Sequence, residues 1–234
     1  MDHSNSIDAD AGVAPGMIFL PRNIVTFVSG NPDKRNDAIA ILSPYTDIKL
    51  VDLDLKEIQG DEKEIAKDKC DLAMKLFENE IVIVEDTSLR FTEFGGMPGP
   101  YIKHFNKTVG ADGLYKMLFC YSDKSAIVRS TVAIGVPKHL TNDGLRQIHI
   151  VSNNLKGEIV EPRGENGDKN GWDPCFKPAE TFLTLGEMDE KERRKYCSRV
   201  GALFQATKVL LNIFNQNMDA SKNEENGSGI ELNN

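Results

Sequence analysis

"IVIVEDTSLRFTEFGGMPGPYIKHF", residues 81–105, drives four apolar residues into two adjacent carboxylates and then into a glycine- and proline-rich loop that ends near a lysine. The run Ile81–Val84 is too continuous for a half-exposed strand, which predicts a central strand covered on both faces. In an open α/β sheet, ligands bind in the crevice at the ends of such strands. Glu85 and Asp86 follow Val84 directly, and on an extended chain they point to opposite faces, so only one of them enters a given cleft. Two readings of the pair stand side by side. Either the strand simply ends in solvated acids, or it is a rigid post that presents a carboxylate to a metal ion or a proton.

The segments on either side extend an alternation of strand and helix. IVTFV, 24–28, is a short β-branched run, and SGNPDKRNDAIAIL after it predicts a turn and a helix. Asn31 is placed to cap that helix, and Pro32 suits its first position, where a missing N–H costs nothing. IKLVDLDL, 48–55, reads as a second strand, and Ile65, Leu72, Ala73, Leu76 and Phe77 share the face of a helix over 62–78. GLYKMLFCY suggests a short helix. SAIVRSTVAIGV, 125–136, and RQIHIVSNNLKGEIV, 146–160, predict two long strands. EPRGENGDKNGWDPCFKP is a loop of about fifteen residues, a length that is usually functional or disordered. DEKERRKYCSRVGALFQATKVLLNIF is helical, with Leu203, Ala206, Val209, Leu210, Ile213 and Phe214 on one apolar face. No internal repeat is evident. The expectation is an α/β fold with a mixed sheet, in one domain with two lobes around a cleft.

Composition narrows the function classes. With 234 residues, 40% hydrophobic and 27% charged, the chain can bury a sizeable core as a globular protein. Residues 1–23 carry a net charge of -2 and residues 215–234 one of -3, which leaves -3 of the total -8 for the body. Both ends are rich in Asn, Ser, Asp, Glu and Gly and predict disordered tails, with the folded domain over 24–214. A nearly balanced body with acidic tails lacks the basic stripe that nucleic acid requires. A single small polyanion held by a few lysines and a metal is compatible with it. No run of about eighteen apolar residues predicts a membrane span. Cys70, Cys120, Cys175 and Cys197 form no CxxC pair, so a zinc or disulfide framework is not expected, and a reducing, cytoplasmic setting is.

Several residues carry candidate chemistry. SGNPDK sits where a strand hands over to a helix, and free N–H groups there, with Gly30 and Lys34, suit an anion; a plain Asn-Pro cap reads equally from the same residues. The Walker spacing is absent. Glu57, after the second strand, offers a further carboxylate, and one or two carboxylates plus substrate phosphates is how magnesium is held. GGMPGPYIK places a rigid loop before Tyr101 and Lys103, for a ligand or as a structural turn. Trp172 of NGWDP packs on a base or in the core. Arg193, Arg194 and Arg199 form a basic helical stretch, a solvated face or a donor-only reader of a carbonyl oxygen.

SGNPDK, VEDTSL, GGMPGPYIK, GWDPCF and CSRVGAL, in this order and at these intervals, closely resemble the inosine triphosphate pyrophosphatase family over residues 24–214. The resemblance implies an elongated mixed β-sheet with flanking helices and a deep cleft between two lobes. It implies Mg2+-dependent hydrolysis, with Mn2+ as the alternative metal, of ITP, dITP and XTP to the monophosphate and pyrophosphate, by a homodimer. By motif, Ser29, Gly30, Asn31, Lys34, Lys69 and Lys103 would hold the polyphosphate, Thr87 would join the substrate-binding set, and Glu57 and Asp86 would hold the metal. Asp86 would also take the proton of the attacking water, with Lys34 beside it. Asn170, Gly171, Trp172, Asp173, Arg193, Ser198 and Arg199 would surround base and sugar. The chain departs from the family pattern at Asn170, where an aromatic is usual, at Ser198, where a histidine is usual, and at Arg193, where a lysine is usual. The loop before GWD is about two residues longer than usual. These departures fall on the base side of the site. A substrate among other modified nucleotides, or a nucleotide sensor without turnover, are the alternative readings.

Overall fold

Strand β1 (Ile24–Val28) opens the fold and is buried from Val25 onward. The computed structural model describes residues 24–165 and 171–227, so the expected tail 1–23, residues 228–234 and Asn170 lie outside the described residues. Helix α1 (Pro32–Leu42) starts as expected: the Asn31 side chain accepts from the N–H groups of Asp33 and Lys34, and Pro32 occupies the first turn. Strand β2 (Asp47–Val51) and helix α2 (Glu62–Leu76) follow. Asp61 and Glu64 cap α2 reciprocally, each satisfying an N–H that the first turn leaves open. The residues after Val51 are irregular rather than strand to 55, because β2 pairs with β1 only over Asp47–Val51.

Strand β3 corrects the opening expectation. It does not end at Val84 but runs Ile81–Phe91, with Glu85 and Asp86 in its middle. The reason is its long partner, β5 (Ser125–Val136), which pairs with it antiparallel from Val82↔Gly135 to Phe91↔Ala126. The ladder satisfies the backbone on both sides of the acids, so two charged residues do not break it. A two-residue strand, β4 (Pro98–Gly99), turns back onto Leu89 and Arg90. Helix α3 covers Ile102–Met117 rather than only the expected short GLYKMLFCY helix, and it kinks at Gly110, whose φ of 62° interrupts the helical backbone. Strands β6 (Gln147–Ile159) and β7 (Phe176–Pro178) complete a seven-stranded mixed sheet of order β2-β1-β3-β5-β6-β7, with β4 paired to β3.

The expected C-terminal helix is broken in two, α4 (Glu190–Lys195) and α5 (Ser198–Gly227). Helix α5 continues past Phe214, where the sequence predicts a disordered tail. Its apolar face ends there, yet extending a helix already nucleated by packing costs little per residue.

Three apolar clusters place the site. On one face of the sheet, α1 and α5 cover Val25, Phe27, Ile81, Ile83, Val132 and Ile134. On the other, Ala66, Cys70, Ala73 and Met74 of α2 cover Val82, Val84 and Ala133. Farther along the same strands, Leu89, Phe91, Ala126, Val128 and Ile159 form a separate core with α3 and Phe176. Between these cores lies a buried polar belt of Glu85, Asp86, Ser88, Ser130 and Thr131. A sheet gives up apolar burial of about 1.5–3 kcal/mol per side chain at each such position. Polar residues there require partners, and the partners define the site.

Candidate active site

The pleat of β3 sends Glu85 and Asp86 to opposite faces, and each meets its own cations. Asp86 points to α2, where Lys69 Nζ lies 3.2 Å from its Oδ1 and 3.1 Å from Glu57 Oε1. Two carboxylates from distant segments thus converge on one positive charge. Glu85 points to the α1 and α5 face. Its Oε2 lies 2.9 Å from Lys34 Nζ and 3.8 Å from Arg199 Nε, and its Oε1 accepts from the Thr87 hydroxyl at 2.7 Å. Lys34 also donates to the Glu85 carbonyl at 3.2 Å, which ties α1 to the centre of β3.

The two acids respond to these settings in opposite directions. Burial alone would raise the Glu85 pKa, but Lys34 and Arg199 outweigh it and hold the carboxyl down to about 2. For Asp86 burial prevails: Lys69 and Lys34 only partly offset it, while Glu85 and Glu57 add to it, and the pKa is raised. Burial would lower Lys69, yet Asp86 and Glu57 prevail and keep its ammonium charged. The net result is an Asp86 carboxylate more basic than a solvated one, beside a lysine that stays protonated.

The turn from β1 to α1 borders this pair. Ser29 Oγ accepts from the Asn31 N–H at 3.2 Å, and Asn31 Oδ1 accepts from Asp33 and Lys34 N–H at 2.8 and 3.3 Å. A Cβ on Gly30 would sit 3.1 Å from Asp54 Cβ, so the backbone there approaches the segment carrying Asp54 and Glu57 closely. Lys103 reaches the same segment, its Nζ 3.4 Å from Asp54 Oδ2, with 63% of its side chain exposed. The 54–57 segment thus meets Gly30, Lys69 and Lys103, and through Lys69 it meets Asp86, while Lys34 meets Glu85 on the other face of β3.

The residues expected around a base form neighbouring groups. Gly171 is buried, Trp172 packs partly buried against the second core, and Asp173 accepts from Arg193 Nη1 at 3.4 Å. Ser198 is buried at the start of α5, with its hydroxyl 2.8 Å from that of Ser130. Arg199 donates through Nη1 to Asp37 Oδ2 at 2.7 Å, while its buried Nε has no hydrogen-bond partner among the described residues. Asp37 was not foreseen. It stands three residues after Lys34, one turn along the same face of α1, and that spacing is the signal that marks it. Burial raises its pKa, with Arg199 offsetting part of the rise.

A cavity of about 340 Å³ lined by Val136, Asp143, His149, Val209 and Ile213 lies elsewhere and carries none of these groups. The buried charges, not the cavity, mark the site.

Comparison with known proteins identifies the family and the fold. The Ham1 family model matches residues 25–209. The inosine triphosphate pyrophosphatase of Mycosarcoma maydis is 38% identical over 198 residues, covering 82% of this chain and 97% of that one. That of Schizosaccharomyces pombe is 38% identical over 174 residues, covering 74% and 87%. Among solved structures, a Ham1 protein from Coxiella burnetii superposes with a TM-score of 0.68 at 24% identity, covering 81% of this chain and 99% of that one. The Staphylococcus aureus Ham1 protein gives 0.67 at 22%, covering 80% and 98%. These two show the same fold. The family match takes in every strand from Val25 onward, and the fungal relatives align over nearly their whole length, so the chain belongs to the Ham1 family.

Proposed function

We propose that this chain hydrolyses deaminated purine nucleoside triphosphates, ITP, dITP and XTP, to the nucleoside monophosphate and pyrophosphate. The observation that carries the reading is the convergence of Asp86 and Glu57 on Lys69, with Glu57 on the segment whose Asp54 meets Gly30 and Lys103. The curated relatives named for this activity support it.

Glu57 and Asp86 fit Mg2+, or Mn2+ in its place: two hard carboxylate oxygens already meet at one cation, and substrate phosphates would complete the set. When bound, the metal would neutralise phosphate charge and lower the pKa of a water. Among the described residues no cluster of three or more His, Cys, Asp or Glu exists to hold a metal without substrate. Lys34, Lys69 and Lys103 would neutralise the triphosphate, and Ser29, Gly30 and Asn31 would present N–H groups to it. Asp86 would accept the proton of a water that attacks the α-phosphorus. A P–O bond forms there, the bond to the β-phosphate bridge breaks, and pyrophosphate departs. Thr87, next along β3, would stay with Glu85 and fix its orientation. Gly171, Trp172 and Asp173, with Asn170, Arg193, Ser198 and Arg199, would enclose base and sugar. The reading includes a cytoplasmic homodimer acting on free nucleotides; the four free cysteines suit a reducing compartment, and no described helix is long and apolar enough to cross a membrane.

The test is product identity. Purified protein with Mg2+ and ITP should release pyrophosphate and IMP. Release of orthophosphate and IDP would place attack at the γ-phosphorus and overturn the reading.

A second expectation concerns selectivity. Arginine donates hydrogen bonds and never accepts them, so it suits a 6-oxo group and opposes a 6-amino group. Asp37 anchors one end of the Arg199 fork, which leaves its other donors oriented rather than mobile. Arg199→Ala should therefore lower kcat/KM for ITP and shrink the ITP-to-ATP ratio by about tenfold or more, with GTP exclusion changing less. An unchanged ratio in kcat/KM for the three nucleotides would make Arg199 a partner of Glu85 and Asp37 only.

A further inference from the structure

Two contacts tie the start of α2 to the glycine loop, and the chemistry above uses neither. The Gly60 N–H donates to the Tyr101 hydroxyl at 3.2 Å. Two residues on, the buried Glu62 carboxylate accepts from the Ser88 hydroxyl at 3.1 Å and from Arg90 Nη1. The Arg90 guanidinium in turn lies directly against Gly96. A Cβ on Gly96 would sit 2.7 Å from Arg90 Nη2, and the φ of Gly96 is +97°, so both the close approach and the backbone conformation call for glycine there. One end of the joined unit leads back to Glu57 and forward to Lys69. The other leads through Tyr101 to Lys103.

The physical need for such a tie is plain at Lys103. Its ammonium rides on a flexible stem that is largely exposed and, among the described residues, pairs with Asp54. Its place beside Asp54 is set by its backbone, and that backbone leaves a loop of three glycines, Gly95, Gly96 and Gly99, all at positive φ. A loop of that kind is ordered by the ligand unless the protein orders it first, and ligand-driven ordering appears as lost affinity. A buried carboxylate holding a flat guanidinium fork is a rigid platform for the loop to rest on.

We propose that Arg90, held by Glu62 and lying beneath Gly96, is a positioning residue that fixes the glycine loop so that Lys103 meets the triphosphate. The proposal rests on the reading of the surroundings of Asp54 and Glu57 as a polyphosphate site. Arg90 touches no substrate; it acts through the loop.

The experiment compares Arg90→Met, Arg90→Lys, Lys103→Met and the Arg90→Met/Lys103→Met double variant. It reads the calorimetric Kd of inorganic tripolyphosphate, KM and kcat for ITP, and the thermal midpoint. Arg90→Met should weaken tripolyphosphate about tenfold and raise KM in step, with kcat within about threefold of wild type. Arg90→Lys, which keeps the charge without the fork, should recover part of the loss. The double variant should bind no more weakly than Lys103→Met alone, because a residue acting through Lys103 has nothing left to position. Losses that multiply in the double variant, or a lowered thermal midpoint with unchanged affinity, would overturn the proposal. Should Arg90→Met not fold, Tyr101→Phe removes one hydroxyl and carries the same test: about threefold weaker binding, again absent in the Lys103→Met background, with unchanged affinity counting against the proposal. Wild-type protein that binds tripolyphosphate but releases no pyrophosphate from ITP would overturn the catalytic reading, and the binding data would still decide the role of Arg90.

Discussion

Asp86→Asn is expected to lower kcat for ITP by about 10²–10⁴-fold while triphosphate affinity stays within a few-fold of wild type. The amide has the shape of the carboxylate and can still accept from Lys69, which keeps its second partner, Glu57, 3.1 Å away. The groups proposed to bind the phosphates, on the β1–α1 turn and on Lys103, are untouched. The substitution removes the negative charge that would share a metal with Glu57, and it removes the carboxylate proposed to take a proton from the attacking water. Both losses act on the reaction and neither acts on recognition of the phosphates, so the change belongs in kcat. Steady-state kinetics on ITP, paired with the calorimetric affinity of a non-hydrolysable analogue, measures the two separately. A raised KM with kcat preserved would make Asp86 a binding residue and return the search for the base to its neighbours.

The difference between what hydropathy says of Glu85–Asp86 and what the fold does with them marks where sequence reading stops. Strands β1 and β5 have the predicted bounds because each is a run of apolar and β-branched residues whose limits are set by polar turns. Strand β3 runs seven residues beyond Val84 because its continuation depends on pairing with a strand forty residues away, which local pattern does not contain. The opposite facing of the two acids was legible, since alternation is a property of any extended chain. Their sorting was not. Lys69 lies on a helix before the strand, Lys34 on one earlier still, and only the packing of α1 and α2 on opposite faces assigns one lysine to each acid. The cap of α1 was readable from Asn31 and Pro32 because it is local. Asp37 and the Glu62–Arg90 pair are not legible as pairs in the sequence, because their partners lie 162 and 28 residues apart along the chain.

Glu85→Gln is expected to act on stability where Asp86→Asn acts on rate. Glu85 is fully enclosed and faces Lys34 and Arg199, so its charge neutralises two buried or half-buried cations that have no solvent to turn to. An amide of the same size keeps the Thr87 hydrogen bond but leaves those cations short of a partner, and breaking a buried pair from one side costs about 3–5 kcal/mol. The pH dependence identifies the cause. The folded-state pKa is depressed from 4.5 to about 2. Stability from this group is therefore fully present above the unfolded value and is lost as pH falls through the interval from about 4.5 to about 2. A shift of that size corresponds to about 3 kcal/mol, in line with the cost of breaking the pair. Urea unfolding of both proteins should accordingly show a gap of about 3 kcal/mol at pH 7 that narrows steadily below pH 4.5. At temperatures where the variant is folded, its kcat should fall far less than that of Asp86→Asn, because Glu85 faces away from Glu57 and Asp86, the carboxylates proposed to hold metal and water. A gap that stays constant with pH would mean that Glu85 is not ionised in the folded protein, and Asp37 alone would then have to hold Arg199.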